Sequence, residues 1–328
     1  MHTWESLNAT LQQLPEVFTC LGVPQHGHIS HLSLETWTWT STIHENALLG
    51  PILYHLQVLK INGSIDDEER PVLVLNVLPS FHKLRELELV HVDVPPLAHD
   101  VDLPLVHTLR KLSLWYSTLS WMGGLVFTQL QKFAVDEHSL SESFKGKVGM
   151  PACACIAFAQ NALKKLPVLL ANFDFPLLDA WEFRSTWHDS HYDQGGFSVF
   201  QRVHAKVFKF RIGRDDQRWL EWVEYKDEVE QLELVLEHST VLFTDLVRLS
   251  VVKHVTGKLP CPNMKALKLR FINVKSADQE QVRQSCMQMM DDRRLAGYFL
   301  EKCYIWWQRR DWLQAASLVL VMENKGSE

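Results

Sequence analysis

The feature that most constrains this chain is a six-residue pattern, apolar-x-x-apolar-x-apolar, that returns along nearly its whole length. Clear copies are Ile29/Leu32/Leu34, Leu56/Leu59/Ile61, Leu84/Leu87/Leu89, Leu109/Leu112/Leu114, Leu130/Phe133/Val135, Leu178/Trp181/Phe183, Val229/Leu232/Leu234, Leu246/Leu249/Val251, Met264/Leu267/Leu269 and Leu300/Cys303/Ile305. Two weaker copies, Cys153/Ile156/Phe158 and Ala205/Phe208/Phe210, fill the gaps. Between first positions the steps are 27, 28, 25, 21, 23, 25, 27, 24, 17, 18 and 36 residues. Leucine-rich repeats run at roughly 20–29 residues, so the spacing, more than any single copy, predicts a repeat array.

In each copy the last two apolar residues, two apart, fall on one side of a strand. The residue between them falls on the other. These middle residues are Ser33, Lys60, Glu88, Ser113, Ala134, Ala157, Glu182, Lys209, Glu233, Ser250, Lys268 and Tyr304. Most are polar or charged, as a solvated sheet face requires. No unit hides its apolar side alone, so neighbours must stack. The expected fold is therefore α/β: an irregular leucine-rich-repeat-like solenoid over residues 29–307, with a parallel strand face. A helical cap is expected over residues 1–28 and a tail over 308–328.

The strongest helix signal is late. Ser276 and Gln279 form a capping box, Val282, Cys286, Met289, Met290 and Leu295 follow at helical spacing, and Gly297 provides a stop. This predicts a capping helix over about 276–296, inserted before the last strand. Arg218-Trp-Leu-Glu-Trp-Val-Glu-Tyr, with Trp219, Trp222 and Val223 on one face, is a second helical candidate. The asparagine that ordinarily occupies the ninth repeat position, bonding neighbouring turns, is present only as Asn161. Ser64, Val92, Ser117 and His138 are among the residues that replace it.

The formal net charge of −6, with both signs interleaved along the chain, leaves no basic stripe of the kind that nucleic acid requires. It also argues against an anionic membrane. The apolar run from Ala315 to Met322 is far short of the roughly 20 residues a bilayer demands, and the N-terminus does not read as a signal peptide. Six cysteines are too sparse for a disulfide framework. A reducing location, cytoplasmic or nuclear, is expected.

Leu103-Pro-Leu-Val-His-Thr-Leu-Arg-Lys-Leu-Ser-Leu, Trp121-Met-Gly-Gly, Phe175-Pro-Leu-Leu-Asp-Ala-Trp-Glu-Phe and Asp292-Arg-Arg-Leu-Ala-Gly-Tyr-Phe-Leu-Glu-Lys-Cys resemble the divergent repeats of basidiomycete F-box-like, leucine-rich-repeat-like proteins. The resemblance covers residues 29–307. It implies a substrate receptor that docks, through an N-terminal helical F-box, onto the adaptor of a cullin-type ubiquitin ligase. The sequence departs from that pattern at the F-box: only Leu14-Pro-Glu-Val-Phe matches its opening.

The remaining clusters give no chemical constellation. His26-x-His28-x-x-His31 lacks a convergent fourth ligand for zinc. His188-Asp-Ser-His191-Tyr-Asp193 precedes Gln194-Gly-Gly and reads as a solvated loop. Cys153-x-Cys155 lacks the spacer and second pair of a zinc ribbon. No nucleotide-binding or hydrolase motif occurs. The expectation is thus a non-enzyme with no cofactor or metal, binding a protein partner on its polar strand face. Lys60, Glu88, Glu182, Lys209, Glu233 and Lys268 are its expected contact residues. Trp37 and Trp39, alternating with threonines, are expected aromatic anchors, whereas Trp181 occupies a core position.

Overall fold

A computed structural model of the chain describes residues 6–10, 13, 29–35, 54–63, 80–95, 103–136, 138–141, 146–159, 165–184, 203–212, 223, 226–236, 246, 248–251, 259–272, 276–308 and 318–323. The apolar triplets become strands, and the strands pair in the order in which they occur. The chain divides into two compact units, residues 1–157 with 165–178, and residues 158–164 with 179–328.

In the first unit β1 (Ser6–Thr10), β2 (His31–Glu35), β3 (Val58–Asn62), β4 (Glu86–Val90), β5 (Lys111–Trp115) and β6 (Lys132–Val135) form successive parallel pairs. Skipping the short β7 (Val148–Gly149), β8 (Cys155–Ala159) follows β6 in the sheet. β7 pairs with another two-residue strand, β9 (Phe173–Asp174). Two short helices, α1 (Leu105–Thr108) and α2 (Leu166–Asn172), belong to the same unit. In the second unit β10 (Ala180–Arg184), β11 (Val207–Ile212), β12 (Gln231–Leu236), β13 (Ala266–Ile272) and β14 (Lys302–Gln308) again pair parallel. The helix α3 (Ser276–Leu295) connects β13 to β14, and β15 (Leu318–Glu323) adds antiparallel to β14. The fold is α/β with a mostly parallel sheet.

The register aligns like with like. Leu32, Leu59, Leu87, Leu112 and Phe133 lie side by side, as do Trp181, Phe208, Leu232, Leu267 and Cys303. All are at most 2% exposed. A slip of one residue would turn each row outward, so burial specifies the register.

The ends differ from expectation. Residues 6–10 of the expected helical cap are a strand, because β1 completes a backbone ladder with β2 over five residues. The expected tail contains β15, which makes β14 the penultimate strand. The copy Leu246/Leu249/Val251 is not a strand: Leu246 and Arg248 are helical, Leu249 and Ser250 lie in a turn, and Val251 is exposed. Its flanking steps of 17 and 18 residues both fall below the roughly 20–29 residues of a strand-and-return repeat. Together they form one long step between β12 and β13.

Beyond the ends of β4 to β6, side-chain oxygens tie neighbouring turns together. Ser117 Oγ accepts a hydrogen bond from the Val92 amide (3.1 Å) and donates to the Trp115 carbonyl (3.0 Å). The Ser117 amide donates to Ser139 Oγ (3.1 Å), and that hydroxyl donates to the Leu114 carbonyl (3.3 Å). The buried Asp136 carboxylate accepts from the amides of Tyr116 (2.7 Å) and Ser139 (2.9 Å). Asp136→Ala strands these donors. Urea unfolding is expected to show a loss of about 2–3 kcal/mol, against about 1–2 kcal/mol for Ser117→Ala; equal stability of Asp136→Ala and the parent would refute this ladder.

α3 buries Val282, Cys286, Met289 and Met290, as the spacing predicts, and also Arg293. Its Leu295 is exposed. The helix stops at Gly297 (φ 83°), where the amides of Gly297 and Tyr298 donate to the carbonyls of Arg294 (3.0 Å) and Arg293 (2.8 Å). Arg293 donates to the carbonyls of Leu249 (2.9 Å), Pro260 (2.9 Å) and Cys261 (2.8 Å). It thereby fastens the helix to the long step between β12 and β13.

Candidate functional site

The side of each strand opposite the apolar rows is the candidate site. In the first unit the register places Ser33, Lys60, Glu88, Ser113 and Ala134 in one row. Lys60 Nζ lies 3.5 Å from Glu88 Oε2, and both side chains keep solvent contact. Further along the row Ser113, Ala134 and Ala157 are buried. These are small side chains, while the larger Lys111, Trp115 and Lys132 on the same side stay half-exposed, so a polar middle residue does not guarantee an exposed one. At the strand entrances Lys111 Nζ pairs with Glu86 Oε2 at 3.2 Å.

In the second unit the row reads Glu182, Lys209, Glu233, Lys268 and Tyr304. Charge alternates strand by strand and ends on an aromatic ring. Lys209 Nζ and Glu233 Oε2 are 3.2 Å apart. Lys268 Nζ sits 5.9 Å from the Tyr304 ring centroid, and Tyr304 stacks on Trp306 at 5.6 Å. Partly exposed ion pairs contribute about 0–1 kcal/mol each. Their main effect here is to hold side chains upright in register. At the strand entrances Glu230 stands between Lys265 (3.0 Å) and Lys206 (3.7 Å). The Lys265 ammonium, and then Lys206, keep its carboxyl below the usual carboxylate range. Any stabilisation from this triplet is present above the ordinary carboxylate pKa and disappears as pH falls through the lowered value.

Two positions beyond each middle residue, the same face carries a second row: Arg184, Arg211, Val235, Arg270 and Trp306. The six-residue pattern ends one residue too early to reach it. Its signal was the period of two, extended to the full length of these strands. In the first unit the corresponding row ends on Trp115, and just beyond the strands His91, Tyr116 and His138 form a column. Both ring separations are 4.5 Å, and His91 and Tyr116 adopt left-handed backbone angles of 54° and 53°.

Ser250 does not join the face; its hydroxyl lies 3.5 Å from an Asp292 carboxylate oxygen. Trp37 and Trp39 lie outside the described residues, as do His26, His28, the 188–193 cluster, Trp219 and Trp222. His31 is exposed, with Nδ1 at 2.8 Å from Ser30 Oγ. Cys153 is buried, its thiol pushed up to about 12 by that burial, and it donates to the Cys155 carbonyl. A thiol held protonated in this way is a packing group. Among the described residues no three His, Cys, Asp or Glu side chains are grouped to hold a metal ion, and no helix is long and apolar enough to cross a membrane. Comparison with protein-family models gave no match to the chain, and comparison with curated proteins gave none either.

Proposed function

We propose that the chain is an irregular leucine-rich-repeat-like solenoid acting as a non-catalytic interaction module, which holds a protein partner on its polar strand face. The observation that carries this reading is the in-register row Glu182, Lys209, Glu233, Lys268, Tyr304. Charged side chains on adjacent strands, braced by one another and ending on stacked aromatics, form a preordered surface. Such a surface loses little side-chain entropy on binding, and its pattern of sign favours one partner orientation over others.

A photo-crosslinking residue placed singly at positions 60, 209 and 268 tests it in native cell extract. The control position is Met287, exposed on α3. Protein adducts are expected from the face positions and not from position 287. Adducts from position 287 alone, or none from any face position, would overturn the reading.

A further inference from the structure

The two units differ in the charge they place on this face. Strand positions on the polar side of β2 to β6 hold three basic residues (Lys60, Lys111, Lys132) and three acidic ones (Glu35, Glu86, Glu88). On β10 to β14 the described side chains of the same side include five basic residues, Lys209, Arg211, Lys268, Arg270 and Lys302, against Glu182 and Glu233. A chain with a formal net charge of −6 thus gathers an excess of positive charge on one face of one unit.

The excess has an internal order. Glu182 and Glu233 sit in the middle row, where Glu233 is engaged by Lys209. The row beyond holds arginine at three of its five positions and no acid. Arg211 and Arg270 are both exposed and stand two strands apart, about 10 Å at the usual strand spacing. Guanidinium groups bind carboxylates through paired donors, with geometric selectivity that lysine lacks. The same row ends on Trp306, stacked with Tyr304, and the half-exposed Val321 is paired with Tyr304 across the β14–β15 ladder. A cationic strip therefore leads into an aromatic and apolar step.

Resting on the reading above, we infer that the second unit's strand face docks an extended acidic polypeptide segment that carries an apolar residue at one end. The carboxylates lie along the arginine row and the apolar residue packs on Tyr304 and Trp306. A nucleic-acid strand suits the face less well, because it would present a base to stack at every step, whereas the half-buried rings of Tyr304 and Trp306 lie at one end only.

The test uses the full chain and a short fluorescent peptide of aspartate and glutamate ending in phenylalanine. A glutamine analogue, a lysine analogue and a single-stranded oligonucleotide of equal charge serve as comparisons. Saturable anisotropy change is expected with the acidic peptide, weakening as salt rises. The double variant Arg211→Glu/Arg270→Glu is expected to bind at least ~10-fold more weakly, and Trp306→Ala at least ~3-fold more weakly. Lys147→Glu, a charge reversal at an exposed residue outside the strand face, should leave affinity unchanged; circular dichroism establishes that each variant folds. No binding, unchanged affinity in the double variant, or tighter binding of the oligonucleotide or lysine peptide would overturn the inference. If face positions still crosslink a protein while the peptide fails, only the acidic specificity falls. If both fail, the interaction reading falls with it.

Discussion

Replacing Arg293 with methionine is expected to lower the stability of the second unit by about 3–5 kcal/mol, although methionine matches the stem in length and suits a buried helix face. The guanidinium is completely buried and serves three backbone carbonyls, those of Leu249, Pro260 and Cys261. Burial pushes its pKa below the ordinary arginine value, a measure of how much solvation it gives up. Removing a buried charge can be neutral when its partners are removed too. Here the partners are main-chain oxygens and remain, so methionine leaves acceptors without donors. Arg293→Lys should recover about half the loss, since an ammonium lacks the planar fork that spans carbonyls on two segments. Urea unfolding with hydrogen exchange of residues 249–261 measures both effects. A methionine variant as stable as the parent would show that the fastening is dispensable.

Trp181→Ala is expected to cost about 3–5 kcal/mol, whereas Trp181→Phe should stay within about 1.5 kcal/mol. Trp181 is 1% exposed, lies beside Phe208 in the β10–β11 register, and stacks with Phe183 at 5.9 Å. Alanine removes the whole indole from a close-packed row, and the flanking strands cannot collapse without losing their ladder. Phenylalanine keeps the ring contact. It also discards the indole N–H, which is buried without an acceptor among the described residues, so part of the lost packing is offset. Thermal unfolding of the two variants separates the outcomes. A phenylalanine variant as damaged as the alanine one would mean that Nε1 is satisfied.

These two residues mark the limits of what could be read in advance. Trp181 was legible as a core residue because its position in the triplet fixes its side of the strand, and strand periodicity is purely local. The same logic located the rows through Lys60, Glu88, Lys209 and Lys268. It failed at Leu246/Leu249/Val251, where an apolar pattern of the right form lay too close to its neighbours to be a separate strand. It also did not separate open middle positions from the buried Ser113, Ala134 and Ala157, because the exposure of a small side chain depends on its neighbours on adjacent strands.

The strand repeat, the side on which the apolar residues of the paired strands lie, and the late helix with its glycine stop follow from backbone geometry and hydrophobic period alone. The rest depends on long-range pairing. It turned Arg293, an unremarkable charge beside Arg294, into the buried link between a helix and a loop. It brought Lys209 to Glu233 and Tyr304 to Trp306, and it gathered arginines from strands separated by tens of residues into one row. Register across a parallel sheet joins residues with no local relation, so the charge pattern of the face exists only once the strands are paired.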